Sequence, residues 1–306
     1  MEFEILRHAT FSDIHAHIGT GGCPWWRELG WPNPTIKTMV RHIKHDRIDE
    51  LWVIADSLKV IDSLKSRTEK FCKIQSFFWV HDIDDPEIAK MGRGERVRLV
   101  NGIKVHPQVD AFELTAKKME KVTRLARRFR LPVIFHTACC DREDHGPEKE
   151  MADMHLTAPH KYEELIAKNP DIPFVIGHGG SYAPTRLGPP TDPSQNCPGR
   201  AFWRENKKPY TIRFLIEEAL RISRDYSNAF YDTSVSTNPG KAQLIADFTN
   251  ENPGVAKKIL VGTDYPIQWA RCPTQVAALM KKGLRDELAA QIVGNRFSKI
   301  ITKWGW

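Results

Sequence analysis

Five polar side chains interrupt apolar runs in a pattern that could hold a metal ion. In ATFSDIHAHIG, His15 and His17 stand two residues apart, so on a strand both project to one face. His136 ends the apolar run Val133, Ile134 and Phe135 behind Pro132; His178 ends IPFVIG, and Asp264 ends ILVGT. Imidazole and carboxylate donors converging on one point suit a borderline divalent cation. Zinc fits first, with manganese or iron as alternatives, as one or two ions. A lone strand histidine is more often a satisfied structural residue. Four histidines and an aspartate at equivalent places are better read as a set.

Lys104, in NGIKVHP, adds a charge inside an apolar strand, which is costly unless it is paired or modified. Two readings stay open. Carboxylated by CO2, it would be an anionic bridge between two metals. Unmodified, it would bind substrate or a structural carboxylate. His106 shares its face by alternation and sits at the strand tip, where it could support the site or touch substrate.

These residues need a frame that brings remote segments together. Candidate strands are Phe11–His17, Leu51–Ala55, Phe71–Val80, Gly102–His106, Pro132–His136, Pro173–His178, Ala229–Thr233 and Ile259–Asp264. Helical periodicity lies between them. Leu114, Met119, Val122, Leu125 and Phe129 mark one face over Glu113–Arg130, and Leu288, Ile292, Val293, Phe297, Ile300 and Ile301 mark another over Arg285–Trp304. Strands alternating with helices imply parallel pairing through right-handed crossovers. Eight βα units of about 36 residues each match a single-domain α/β chain, a (β/α)8 TIM barrel over residues 1–306, whose strand tips form the active-site face. Two connections, Cys139–Tyr162 after strand five and Gly179–Tyr210 after strand six, are too long for turns and should wall the mouth.

With the strands placed, the order His-x-His, Lys on strand four, His on five, His on six and Asp on eight resembles the amidohydrolase superfamily. The wording DIHAHIG, GIKVHP, VIFHTA, VIGHGG and ILVGTDYP is similar to its amidohydrolase-related branch, which includes metal-dependent hydrolases and aminocarboxymuconate-semialdehyde decarboxylase. QIVGNRFSKII resembles that family's closing helix. The resemblance implies that His15, His17, His136 and Asp264 bind the main metal. It makes His178 either a ligand of a second metal or a catalytic histidine that orients water and polarises substrate. Decarboxylases of the branch usually use one metal and lack the strand-four lysine, so Lys104 favours hydrolysis of an amide, lactam, ester or lactone. Asp264 then serves as the base that takes a proton from water and returns it to the leaving group, and His178 helps to stabilise the oxyanion. Decarboxylation of a small carboxylated ring or enal is the alternative. A non-catalytic metal-containing barrel that binds a ligand or partner is the third reading.

The loops suggest a small substrate, planar or anionic. Trp25, Trp26 and Arg27 follow strand one, and Tyr182 and Arg186 follow strand six; stacking and an arginine grip on a carboxylate are the expected contacts. In YDTSVS, Asp232, Thr233 and Ser234 read mainly as structural polar residues. GTGG at 19–22 lacks the lysine of a phosphate loop. Forty-five Lys and Arg against 38 Asp and Glu leave a charge of +7, a mild bias in short clusters and no nucleic-acid footprint. No apolar run approaches membrane-span length, and MEFEILRHAT does not read as a signal peptide. Six scattered cysteines without a Cys-x-x-Cys pair suit reduced thiols in a cytoplasmic enzyme. The tail Trp304-Gly305-Trp306 is a candidate face for a homodimer.

Overall fold

Short runs of β-branched, aromatic and other apolar residues supply the strands of one sheet. The computed structural model describes residues 3–19, 34–55, 57–80, 99–107, 116–137, 158–180, 212–266 and 271–304. The strands are β1 (Phe11–His17), β2 (Ile48–Ala55), β3 (Lys73–Trp79), β4 (Gly102–Val105), β5 (Val133–His136), β6 (Phe174–Gly177), β7 (Ala229–Asp232) and β8 (Ile259–Leu260). They pair in parallel in chain order, β1 through β8. The helices that succeed the short α1 (Glu4–Arg7) are α2 (Ile36–Asp46), α3 (Leu58–Thr68), α4 (Ala116–Phe129), α5 (Glu163–Lys168), α6 (Ile212–Asp225), α7 (Pro239–Glu251), α8 (Cys272–Lys281), α9 (Asp286–Gly294) and α10 (Phe297–Thr302). This is the expected (β/α)8 barrel.

The ring closes in an unexpected way. Ile259–Asp264 was expected as one strand, yet only Ile259 and Leu260 pair with β7. The next residues join β1 instead: Ile14 N donates to Val261 O (2.8 Å), Asp264 N to His15 O (2.6 Å) and His17 N to Tyr265 O (2.7 Å). The buried Asp13 carboxylate draws them there. It accepts from Thr263 N (3.1 Å), Thr263 Oγ1 (2.6 Å) and His42 Nε2 (3.1 Å). Strands converging on a common end in this way place the tips of β1, β5, β6 and β8 around one mouth.

Two apolar layers hold the frame. Outside the sheet, Met119, Val122 and Ala126 of α4 and Ile216, Ala219 and Leu220 of α6 belong to the main core. Inside, Ile14, Trp52, Phe77, Ile134, Val175, Phe230 and Leu260 fill the barrel with Phe297 and Ile301 of α10. The continuous helix expected over Arg285–Trp304 is broken at Asn295 and Arg296, both extended. The reason is tertiary: Asn295 Nδ2 donates to Ala256 O (2.8 Å) and Ile259 O (2.7 Å), which turns the chain so that α10 can plug the barrel.

The bottom is fastened by Glu50, only 4% exposed. Its carboxylate accepts from Ser12 Oγ (3.1 Å), Trp52 Nε1 (2.9 Å), Ser298 N (3.2 Å) and Ser298 Oγ. Glu50→Ala strands these buried donors. It is expected to lower unfolding free energy by at least about 2 kcal/mol, read as a lower urea midpoint at unchanged slope.

Among the described residues, no helix is long and apolar enough to cross a membrane. Cys72 and Cys272 are buried and free. The other four cysteines, Trp25, Trp26, Arg27, Tyr182, Arg186 and most of both long connections lie outside the described residues.

Candidate metal centre

The side chains at the mouth are set by backbone that a free chain would avoid. His178, just past β6, has φ 60°, and Asp264 has φ 57°. Left-handed backbone is uncommon for residues with a Cβ, and it concentrates where a site constrains the chain. The surroundings supply that constraint. Lys241 Nζ, buried on the first turn of α7, donates to His178 O (2.6 Å) and Ser234 O (2.7 Å). Asp264 is fixed through its amide on His15 O.

His15, His178 and Asp264 each bring one possible ligand atom within 4.8 Å of the others. His15 Nε2 lies 3.7 Å from Asp264 Oδ1, and His17 Nε2 lies 3.2 Å from the same oxygen. The His15 and His178 ring centroids are 4.5 Å apart, and those of His136 and His178 are 4.6 Å apart. His136 therefore faces the group from the β5 side without joining the tightest triple. His106 stacks on His136 at 3.6 Å, and Trp79 stacks on His106 at 5.5 Å, so β3, β4 and β5 form an aromatic wall. Lys104 is wholly buried on β4, in register with Trp79 and Ile134. Its charge bears on His15, His17, His178 and Asp264.

Whether this group fits a cation follows from its unpaired atoms. His15 Nε2 and both carboxylate oxygens of Asp264 are buried and receive no hydrogen bond among the described residues. Native interiors rarely leave such acceptors unsatisfied. A nitrogen lone pair and a carboxylate edge turned toward one another are what a divalent cation would satisfy, so the residues fit the group. The other nitrogen of His15 is committed elsewhere: Nδ1 lies 2.6 Å from Asp232 Oδ2. That carboxylate also accepts from His178 N (3.0 Å) and Ser234 Oγ (2.7 Å), and its Oδ1 accepts from Ser234 N (2.9 Å). Gly262 allows the approach, since a Cβ there would fall 2.0 Å from Asp232 Oδ1. Asp232, Ser234 and Lys241 are the parts of the site that sequence reasoning did not assign to it. The polar run closing β7 was the available signal.

The electrostatics divide the two carboxyls. Burial pushes Asp264 up to about 7, against the pull of His15 and Lys104. Burial also opposes ionisation of Asp232, but His15, the His178 amide and Ser234 outweigh it and hold the carboxyl at about 2. Burial moves His15 below the ordinary histidine value, and His17 and His178 well below it. These shifts have opposite linkage signs. Each histidine takes up its proton at a lower pH when folded than when unfolded, so its contribution is present above about pH 6.5 and lost as pH falls. Asp264 works the other way, its contribution being lost as pH rises from about 4 through about 7. Three histidines against one aspartate give the net sign. Metal-free protein is expected to have a lower urea midpoint at pH 5 than at pH 7.

The family model described as amidohydrolase matches residues 73–295. No curated protein matches the chain. Among solved structures, one described as amidohydrolase II aligns with TM-score 0.57 at 13% identity, covering 96% of this chain and 99% of its own. The 5-carboxyvanillate decarboxylase of Novosphingobium aromaticivorans, solved with manganese and 4-hydroxy-3-methoxy-5-nitrobenzoic acid, aligns with TM-score 0.57 at 12% identity, covering 98% and 97%. YJJV, a TATD homologue of Escherichia coli K12, aligns with TM-score 0.53 at 12% identity, covering 96% and 98%. At these identities the likeness is one of fold.

Proposed function

The chain belongs to the amidohydrolase family whose model it matches, and from that premise we propose that it is a metal-dependent hydrolase of a small amide, lactam, ester or lactone. The observation that carries this reading is the acceptor face at the strand tips: His15 Nε2 and the Asp264 carboxylate, buried and unsatisfied among the described residues, with His178 beside them. His15, His17, His136 and Asp264 would hold the main cation, and His178, with Lys104 if it is carboxylated by CO2, would serve a second. The mixed imidazole and carboxylate donors suit zinc, with manganese or iron also accommodated.

When bound, such a cation supplies Lewis acidity, which acidifies water and polarises a carbonyl. The chain does the rest. Asp264, beside the donors that would hold the cation, is the side chain to take a proton from the attacking water and to return it to the leaving group. His178 faces the same space, suited to orient the attacking water. Trp79 and His106 close one side of the mouth, an aromatic wall suited to a planar substrate.

Products formed in 18O-labelled water test the reading. Metal-loaded protein screened on lactones, esters, lactams and amides is expected to place one solvent oxygen in the product carboxyl. Release of CO2 from a carboxylated ring with no solvent oxygen incorporated would replace hydrolysis by decarboxylation.

A further inference from the structure

Ser234 has a place in this centre that its type alone does not announce. Its hydroxyl lies 2.7 Å from Asp232 Oδ2 and 3.1 Å from His178 Nδ1. The hydroxyl has one proton to give. Asp232 already accepts backbone amides at both oxygens, His178 N at Oδ2 and Ser234 N at Oδ1, as a carboxylate does, and a 2.7 Å contact between two oxygens requires a proton between them. That proton is therefore spent on Asp232. The remaining contact works only if His178 Nδ1 carries its own proton and donates to Ser234 Oγ.

We propose that Ser234 is a positioning residue that relays the Asp232 carboxylate to His178 and holds that histidine as its Nδ1–H tautomer, with Nε2 left as a lone pair. One carboxylate then sets two rings, His15 directly through Nδ1 at 2.6 Å and His178 through the hydroxyl. The spacing that this relay needs is built in. Lys241 Nζ holds both His178 O and Ser234 O, and His178 N is tied to the same Asp232 oxygen. Val235, next in the chain, has φ 69°, costly for a β-branched residue. Ser234 thus occupies a held loop and not a loose turn. A group fixing the far nitrogen of an imidazole raises the basicity and fixes the direction of the near one. His178 is then an acceptor toward the mouth, able to ligate or to take a proton but not to donate one. That consequence rests on the proposed function; the tautomer itself does not.

The test is long-range proton–nitrogen NMR on the full chain, metal-free and labelled with 15N-histidine. The His15 and His178 signals are assigned by their loss in His15→Gln and His178→Gln. The expected wild-type spectrum has both Nδ1 atoms protonated and both Nε2 atoms bare. In Ser234→Ala, His178 is expected to shift toward Nε2–H while His15, bonded directly to Asp232, stays as it was. Ser234→Thr restores the hydroxyl and is expected to restore the His178 signal. Zinc affinity by chelator competition is expected to fall about tenfold in the alanine variant. A wild-type His178 protonated at Nε2, or an alanine variant with an unchanged His178 signal, overturns the proposal; the wild-type spectrum decides alone if the variants fail to fold. Wild type with both Nδ1 atoms protonated but no affinity for any divalent metal would sink the proposed function and leave the relay standing.

Discussion

Asp264→Asn is expected to lower kcat/KM by about 10²–10⁴ on any substrate that the wild type turns over, without weakening the metal-free fold. The two halves of this expectation come from one fact. Asp264 is wholly buried, neither of its oxygens receives a hydrogen bond among the described residues, and burial pushes its carboxyl to about 7. Above that pH the metal-free protein carries an ionised group that its surroundings do not solvate. Asparagine keeps the shape, removes that charge and removes the proton acceptor. Activity and stability should therefore move apart: turnover collapses, while the urea midpoint of metal-free protein at pH 8 stays level or rises. Such a trade is expected where a site is strained for its task. Full activity in Asp264→Asn would remove the proposed base. A collapse of stability would instead show the carboxylate to be a structural partner.

Asp232→Asn is the second large effect, and it acts through His15 and His178, which Asp232 holds. The ionised carboxylate accepts at both oxygens: His15 Nδ1, His178 N and Ser234 Oγ at Oδ2, and Ser234 N at Oδ1. An amide has one acceptor oxygen, so either rotamer turns an NH2 group on a buried donor. If the amide nitrogen takes the Oδ2 position, it opposes the His15 proton and releases that ring from the tautomer that presents Nε2. If it takes the Oδ1 position, it opposes the Ser234 amide. Metal affinity is expected to fall by about 10- to 100-fold, the usual cost of losing an outer partner of a ligating histidine. Stability is expected to fall by about 1–3 kcal/mol. Chelator competition and urea unfolding read the two quantities separately. Unchanged metal affinity would mean that His15 does not depend on this partner.

The ends of the strands were legible in the sequence because polar residues there break otherwise apolar runs. His15 with His17, His136, His178 and Asp264 all stand at that boundary, and alternation of strands with helices sufficed for the barrel. What stayed hidden depends on contacts across the chain. Asp232 and His15 are 217 positions apart, so nothing local in YDTSVS announces which ring its carboxylate meets. Lys241 sits in an ordinary helix pattern, and only the fold reveals its ammonium on the carbonyls of His178 and Ser234. The shortness of β8 has the same origin, since Asp13 on the first strand draws Thr263 away from β7. Asn295 breaks the last helix through carbonyls nearly forty residues earlier, a pull that helical periodicity does not register. Stacking of His106 on His136 is likewise a property of neighbouring strands. Sequence spacing put His106 on the face of Lys104, and the structure adds the ring that it covers.

Metal content per chain bears most directly on the account. The protein, purified without chelator and supplied with bicarbonate, is to be measured by elemental mass spectrometry against its concentration. The expected result is at least one equivalent of zinc, manganese or iron, lost in a variant that replaces His15 and Asp264 together. Two equivalents would support a carboxylated Lys104 bridging them. No bound metal, even after each of these ions is added back, would contradict the reading of the strand-tip cluster as a metal centre.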